Sequence, residues 1–242
     1  MMVYGVNSAR EALAASTASG VWVSDRRSPR LRELLEKAAA EGIPIREVDR
    51  SELDRMAAGG VHQGVVAAVV RPTEYSPADL VHSAKAAPLI MVLDGVEDPQ
   101  NFGAVVRTAE AASADGVVYQ RRRAAPPGGA AVRASAGAMA HMRLAPVVNI
   151  ARAVAELKDE GVWVVGLDAD AGQVYHEVDY RQPSAIVVGG EGAGLRRLVR
   201  ERCDWLVSIP MLGRISSLNV SVAAAVVLYE AVRQRDVGSP RG

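Results

Sequence analysis

A single cysteine, Cys203, occurs in 242 residues. That excludes an intrachain disulfide framework and a Cys-based zinc cluster, and a reducing compartment is the natural setting. Neither sign of charge is in excess, since 28 Lys+Arg balance 28 Asp+Glu. An overall basic character therefore cannot argue for a nucleic-acid partner, and any basic patch must be local. Long apolar runs are also missing: the stretches 87–93 and 222–229 fall well short of the roughly 20 residues a membrane span needs. Asn7, Arg10 and Glu11 interrupt the start of the chain, so no signal peptide is expected there, and a cytoplasmic protein with no membrane partner is the expectation. His62, His82, His141 and His176 are far apart, with no H-x-x-x-H pair and no carboxylate cluster at ligand spacing, so no metal site is expected. A G-x-S-x-G turn is absent too, which disfavours a serine hydrolase.

What is present suits a folded α/β protein. The chain is 49% hydrophobic and 23% charged, close to ordinary globular usage, and its length predicts one or two domains. Residues 1–71 alternate short helical and extended patterns: a helix from about Asn7, a buried strand at Val21-Trp22-Val23, an amphipathic helix over 29–40 closed by Gly42, a strand over 43–48, a short helix over 51–58 and an apolar strand over 65–70. The segment 72–88 carries Pro72, Pro77 and Pro88 and reads as a linker with one short helix. Residues 89–242 change character. Strands without polar alternation at 89–93, 116–119, 162–167, 185–188 and 205–209 predict a parallel sheet covered on both faces. Asp98-Pro99 supplies an N-cap and a proline at the first helical position, and Phe102, Val105, Val106 and Ala109 form the stripe of the helix it opens.

Three segments interrupt strand ends with polar or glycine residues that packing alone does not ask for, and in parallel sheets ligands sit beyond those ends. The first is 93–103, leading to Arg107 and Thr108, with Asp94, Asn101 and Arg107 as candidates; helix capping and a surface arginine explain these residues about as well. The second, Gly189-Gly190-Glu191-Gly192-Ala193-Gly194-Leu195, can bring backbone amides against a ligand. It is neither the dinucleotide fingerprint nor a P-loop, and a tight structural turn is an equal reading, although Glu191 is an odd choice for packing. The third runs over 209–221, where Ser217 or Asn219 suffices to cap the last helix. One local charge feature survives the neutral total. Over 116–155 there are six arginines, Arg121, Arg122, Arg123, Arg133, Arg143 and Arg152, and no acidic residue, a candidate phosphate-binding segment. Because lysine is confined to Lys37, Lys85 and Lys158, arginine as such is no signal; the missing counter-charge is.

In this order and spacing the three segments resemble the motifs of the SpoU (TrmH-like) branch of the SPOUT RNA methyltransferases. The 101–109 stretch resembles the first motif, 189–195 the second and 209–221 the third, while 3–8 and 62–67 resemble the substrate-binding domain of the RlmB group. The resemblance implies an α/β fold: a parallel-sheet catalytic domain with a deep trefoil knot, preceded by a small α/β domain related to an RNA-binding ribosomal protein. It implies S-adenosylmethionine as methyl donor, a ribose 2′-hydroxyl of RNA as acceptor, with a guanosine of large-subunit ribosomal RNA favoured over tRNA, and a homodimer. A catalytically silent RNA-binding or assembly factor is the reading of another class. The family's cofactor positions map to Gly189, Ile209 and Leu218, with Leu167, Gly190, Met211 and Gly213 beside them. Its polar set maps to Asn101, Arg107, Glu191, Ser217 and Asn219. Arginines Arg121, Arg122, Arg123, Arg133 and Arg143 are the expected RNA contacts. Ala134 and Ser113 depart from the usual family residues, Thr and Gly.

Overall fold

The computed structural model describes residues 2–14, 17–24, 28–69, 73–121, 129–190, 192 and 194–236. The chain divides into two compact units, Met1–Pro72 and Thr73–Gly242.

The first unit follows the order β1 (Met2–Tyr4), α1 (Val6–Ala14), β2 (Ala18–Val23), α2 (Pro29–Ala40), β3 (Ile45–Glu47), α3 (Arg50–Met56) and β4 (Val65–Val69). Its sheet runs β1-β4-β2-β3, antiparallel except for the β2/β3 pair. Helix α2 begins with Pro29 in its first turn and ends at Glu41, after which Gly42 takes φ +69°, a conformation that suits glycine. Leu31, Leu34, Leu35 and Ala38 line its buried face and pack with Leu13, Val21, Val23 and Val65. Before β4, the His62 ring accepts from Gly64 N–H at 3.0 Å through Nδ1, which leaves Nε2 to donate to Asp54 at 3.0 Å. Gln63, at φ 50°, accepts from Val6 N–H at 3.2 Å and ties this turn to the start of α1.

The second unit contains α4 (Pro77–His82), β5 (Leu89–Asp94), α5 (Pro99–Ala111), β6 (Gly116–Gln120), α6 (Gly129–Ala134), β7 (Leu144–Val147), α7 (Ile150–Asp159), β8 (Trp163–Leu167), β9 (Gln173–Val174), β10 (Ser184–Gly189), α8 (Arg197–Arg200), β11 (Trp205–Ser208) and α9 (Val220–Asp236). The segment 73–88, read from its prolines as linker, belongs to this unit, and Leu80 of α4 is fully buried in its core. All strand pairs are parallel, in the order β7-β6-β5-β10-β8-β11-β9. Strand β10 thus lies between two strands that precede it in the chain. Strands β7 and β9 escape a reading from hydrophobic runs: β7 is Leu-Ala-Pro-Val and β9 has two residues at the sheet edge.

The two faces of this sheet account for the unbroken apolar strands. Leu89, Met91 and Leu93 of β5 point into a core shared with α5 and α9, whereas Ile90 and Val92 point into one shared with α4 and α7. Period-two alternation of side chains does the sorting. Burial of Ile150, Val154 and Leu157 from α7 contributes about 1.5–3 kcal/mol per side chain. Gly103 lets α6 approach α5, since a Cβ there would stand 2.4 Å from the Ala131 carbonyl oxygen and 2.6 Å from Ala134 Cβ. Helix α9 packs on α5 and β10 through Val220, Ala224, Val227, Leu228 and Ala231. This face of small and apolar residues is therefore occupied within the chain. At its far end Arg235 donates to the carbonyls of Tyr180 (2.8 Å), Ala87 (2.6 Å), Pro88 (3.0 Å) and Gln182 (3.1 Å). The last turn of the last helix is thereby fastened to the entrance of β5.

Candidate active site

The three polar segments meet at the carboxyl ends of the strands, as the geometry of a parallel sheet requires of a ligand site. Asp98 caps α5, its carboxylate accepting from the backbone of Gln100 at 3.1 Å and Asn101 at 3.2 Å. This fixes the first turn and places Asn101, only 7% exposed, against the start of α9. There Asn219 Nδ2 donates to Asn101 Oδ1 at 3.0 Å. Asn219 also caps α9, its Oδ1 accepting from Ser221 N–H at 2.9 Å and from the Ser221 hydroxyl at 2.6 Å. The capping reading of Asn219 is met, and the same side chain brings residues 118 positions apart into contact. Arg107 sits two turns along α5, exposed, with its guanidinium unpartnered among the described residues.

The glycine-rich segment is sterically fixed at its entry. A Cβ on Gly189 would lie 2.1 Å from the Gly194 carbonyl carbon, and one on Gly190 2.3 Å from the Gly95 oxygen. Gly190 N–H donates to Asp94 O at 2.9 Å and Gly194 N–H to Gly190 O at 3.1 Å, while Gly192 and Gly194 take φ +75° and +61°. Asp94, 1% exposed, is then matched by Arg196, whose backbone N–H donates to Oδ2 at 2.9 Å and whose Nε donates to Oδ1 at 2.6 Å; its Nη2 also contacts Oδ1. A carboxylate removed from water needs such a partner. Asp94 is legible in the sequence as a candidate, but Arg196 is not: in an arginine-rich chain nothing distinguishes it from Arg197 beside it. Glu191 lies outside the described residues.

Beyond β8 and β11 the walls are more apolar. Leu167 and Ile209 are partly buried against the core, and Met211 and Leu218 are half-buried, whereas Gly213 and Ser217 are exposed. Leu212 at 98% and Ile215 at 67% exposure project from the same loop. Asp168, following Leu167, is paired with Arg200 at 2.7 Å. Between the ends of β5, β6 and β10 a cleft of about 590 Å³ is lined by Asp94, Glu97, Asp98, Asn101, Gln120 and Arg196, among others. Gln120 is a second residue that the sequence does not single out.

Of the expected RNA contacts, Arg133 is exposed and Arg143 half-buried, and Arg122 and Arg123 lie outside the described residues. Arg121 is bound at 2.6 Å by Glu74. The counter-charge missing from 116–155 is supplied from 47 residues away, a pairing that a count along the chain cannot see. Among the described residues no group of three potential metal ligands exists, and no helix is long and apolar enough to cross a membrane.

Comparison with known proteins places this geometry. The SpoU rRNA Methylase family model matches residues 88–229, and the model described as RNA 2'-O ribose methyltransferase substrate binding matches residues 2–75. The chain is 42% identical over 241 residues to the 23S rRNA (guanosine-2'-O-)-methyltransferase RlmB of Pseudomonas putida, covering 97% of both chains. It is 47% identical over 241 residues to a tRNA/rRNA methyltransferase of Mycolicibacterium gilvum, covering 97% of this chain and 76% of the relative. Among solved structures, the SpoU methyltransferase AviRb of Streptomyces viridochromogenes in complex with AdoMet superposes with a TM-score of 0.67 at 27% identity, covering 98% of this chain and 91% of that one. With its contacting motifs, its parallel catalytic sheet and its small amino-terminal α/β unit, the chain belongs to the SpoU family of S-adenosylmethionine-dependent RNA 2′-O-ribose methyltransferases.

Proposed function

We propose that the chain methylates the 2′-hydroxyl of a guanosine in large-subunit ribosomal RNA. The observation that carries the reading is the Asn219 to Asn101 hydrogen bond of 3.0 Å, which joins the first and third motifs beside the glycine turn of the second. The relative of known target acts on a guanosine of 23S rRNA and matches over the full length, including the amino-terminal unit.

The residues at the ends of β8, β10 and β11 fit S-adenosylmethionine. Leu167, Ile209, Met211 and Leu218 give apolar walls, and Gly189, Gly190 and Gly213 give backbone without side chains. S-Adenosylmethionine supplies the methyl group on a positively charged sulfur, so no metal is required. The protein's task is positioning and charge control, since a ribose hydroxyl is a weak nucleophile until its proton is withdrawn. Arg107, exposed and always protonated, holds the phosphate next to the acceptor ribose and polarises the hydroxyl. That phosphate takes the proton. Asn101 orients the ribose, with its amide fixed by Asn219. Glu191 anchors the glycine turn, and Ser217 contacts RNA from the third-motif loop. Arg121, Arg122, Arg123, Arg133 and Arg143 hold RNA backbone, Arg121 exchanging Glu74 for phosphate.

The chain path we infer is the family's trefoil knot, which accords with a late strand at the sheet centre and a last helix returning to α5. Residues 1–71 form the RNA-presenting domain, and 89–242 form the catalytic domain together with the 73–88 segment that packs into its core. The enzyme works in the cytoplasm as a homodimer. Since the inner face of α9 is occupied, its outer stripe of Val222, Val226 and Tyr229, with Val222 48% and Tyr229 51% exposed, is the surface offered to the second copy; light scattering at micromolar concentration is expected to give a dimer mass, and a monomer mass refutes this.

The decisive experiment is transfer from labelled S-adenosylmethionine to unmodified large-subunit rRNA and, separately, to tRNA, followed by mapping of alkali-resistant ribose positions. One new resistant guanosine in the rRNA is expected. Arg107→Ala is expected to lower transfer by about 100-fold or more, the scale of losing a charge stabiliser, while leaving cofactor affinity within twofold of the parent. A single resistant position in tRNA instead would overturn the substrate assignment.

A further inference from the structure

The cleft between the ends of β5, β6 and β10 contains one group that the fold does not explain. Gln120 closes β6 and lines the cleft. Its Oε1 is sealed from solvent and accepts from no described residue. An amide acceptor left in that condition is destabilising, and rotation of the terminal amide presents it to a donor entering the cleft. Other lining groups define what that donor belongs to. Glu97 and Asp98 bring carboxylates, and Arg196 brings a guanidinium whose charge is already matched by Asp94. The described lining groups therefore disfavour a phosphate and suit an uncharged molecule with N–H groups. Arg196 remains about half exposed, at 49%, so part of its donor fork faces the cleft. Strands β6 and β10 flank β5, which sets their ends about 9.5 Å apart, two strand spacings; a purine reaches across such a gap better than a pyrimidine. Guanine offers O6 and N7 acceptors, which suit arginine, and a 2-amino donor at the opposite end.

We propose that this cleft receives the base of the methylated nucleotide, with Gln120 as a specificity-determining residue that accepts from the guanine 2-amino group while Arg196 donates to the O6/N7 edge. Asn101 lines the same cleft, so a base seated there keeps its own ribose within reach of the residues assigned to the hydroxyl. The inference rests on the RNA methyltransferase reading above and adds how the acceptor base is chosen.

The test uses the full-length protein, large-subunit rRNA and the position mapped as above, with that guanosine or inosine, which lacks the 2-amino group. In the parent, inosine is expected to lower kcat/KM about 10-fold or more, on the scale of one base-reading contact. Gln120→Leu is expected to cause a similar loss on guanosine and no further loss on inosine, the non-additivity of two groups sharing one bond. Gln120→Glu, which keeps acceptors, is expected to retain discrimination. S-Adenosylmethionine affinity, measured by calorimetry, is expected to stay within twofold in both variants, which also shows that they fold. Parent-like transfer by Gln120→Leu, or an inosine penalty equal in parent and variant, overturns the inference and leaves the enzyme assignment intact. Loss of cofactor affinity in Gln120→Leu also overturns it, because the cleft then holds the cofactor's adenine. A parent that methylates no RNA removes the methyltransferase reading and this inference with it.

Discussion

Cys203 illustrates how far a side chain is set by its surroundings. Burial, followed by the neighbouring Asp204 carboxylate, pushes its thiol up to about 12. The thiolate is the reactive form, so at pH 8.5 the native protein is expected to resist alkylation by iodoacetamide, whereas protein unfolded in guanidinium labels fully. Labelling of native protein within minutes would show that this corner of the sheet opens. At this scale the sequence is a partial guide. Asp98 as N-cap of α5 and Asn219 as cap of α9 read directly, because each has a short-range signature. Arg196 and Gln120 do not, because their significance comes from Asp94 and from a cleft assembled by strands distant in sequence.

Among elements, the glycine turn after β10 is the one with least freedom. A methyl group on Gly189 collides with the backbone of Gly194 and Leu195, at 2.1 and 2.5 Å, and backbone cannot swing aside as a long side chain would. Gly189→Ala is therefore expected to lower stability by about 1–3 kcal/mol, the range for overpacking, seen as a fall of several degrees in the thermal midpoint. It is also expected to weaken S-adenosylmethionine binding at least 10-fold; unchanged affinity and midpoint would contradict the steric account. Helices were legible where an apolar stripe repeats: the sequence pattern over 29–40 coincides with Pro29–Ala40, and the stripe after Asp98-Pro99 with Pro99–Ala111. Edge strands were not. Strand β7 contains Pro146 and lies at the sheet edge, met on its far side by a single bridge from Leu144 to Glu74, and β9 is too short for a periodicity to exist.

Across the whole molecule, the unbroken apolar character of the strands pointed to the parallel sheet, but no local pattern indicated the order of those strands, which is decided by pairings as distant as Ser184 with Leu89. That order has a price in time. Strand β8 is made before either of its neighbours, β10 and β11, and β5 keeps one edge bare until residues 184–189 arrive. Pairing between segments far apart in the chain is slow, and unpaired edges invite association with other chains. A chain ended after Pro183 is accordingly expected to be recovered in the insoluble fraction, or bound to chaperones, under conditions where the full chain is soluble; a soluble, monomeric truncation with native-like circular dichroism would refute this. On the ribosome, the middle of this sheet therefore stays open until residues 184–189 have cleared the exit tunnel, and a slowing of synthesis while α9 is still being made would let that closure finish first.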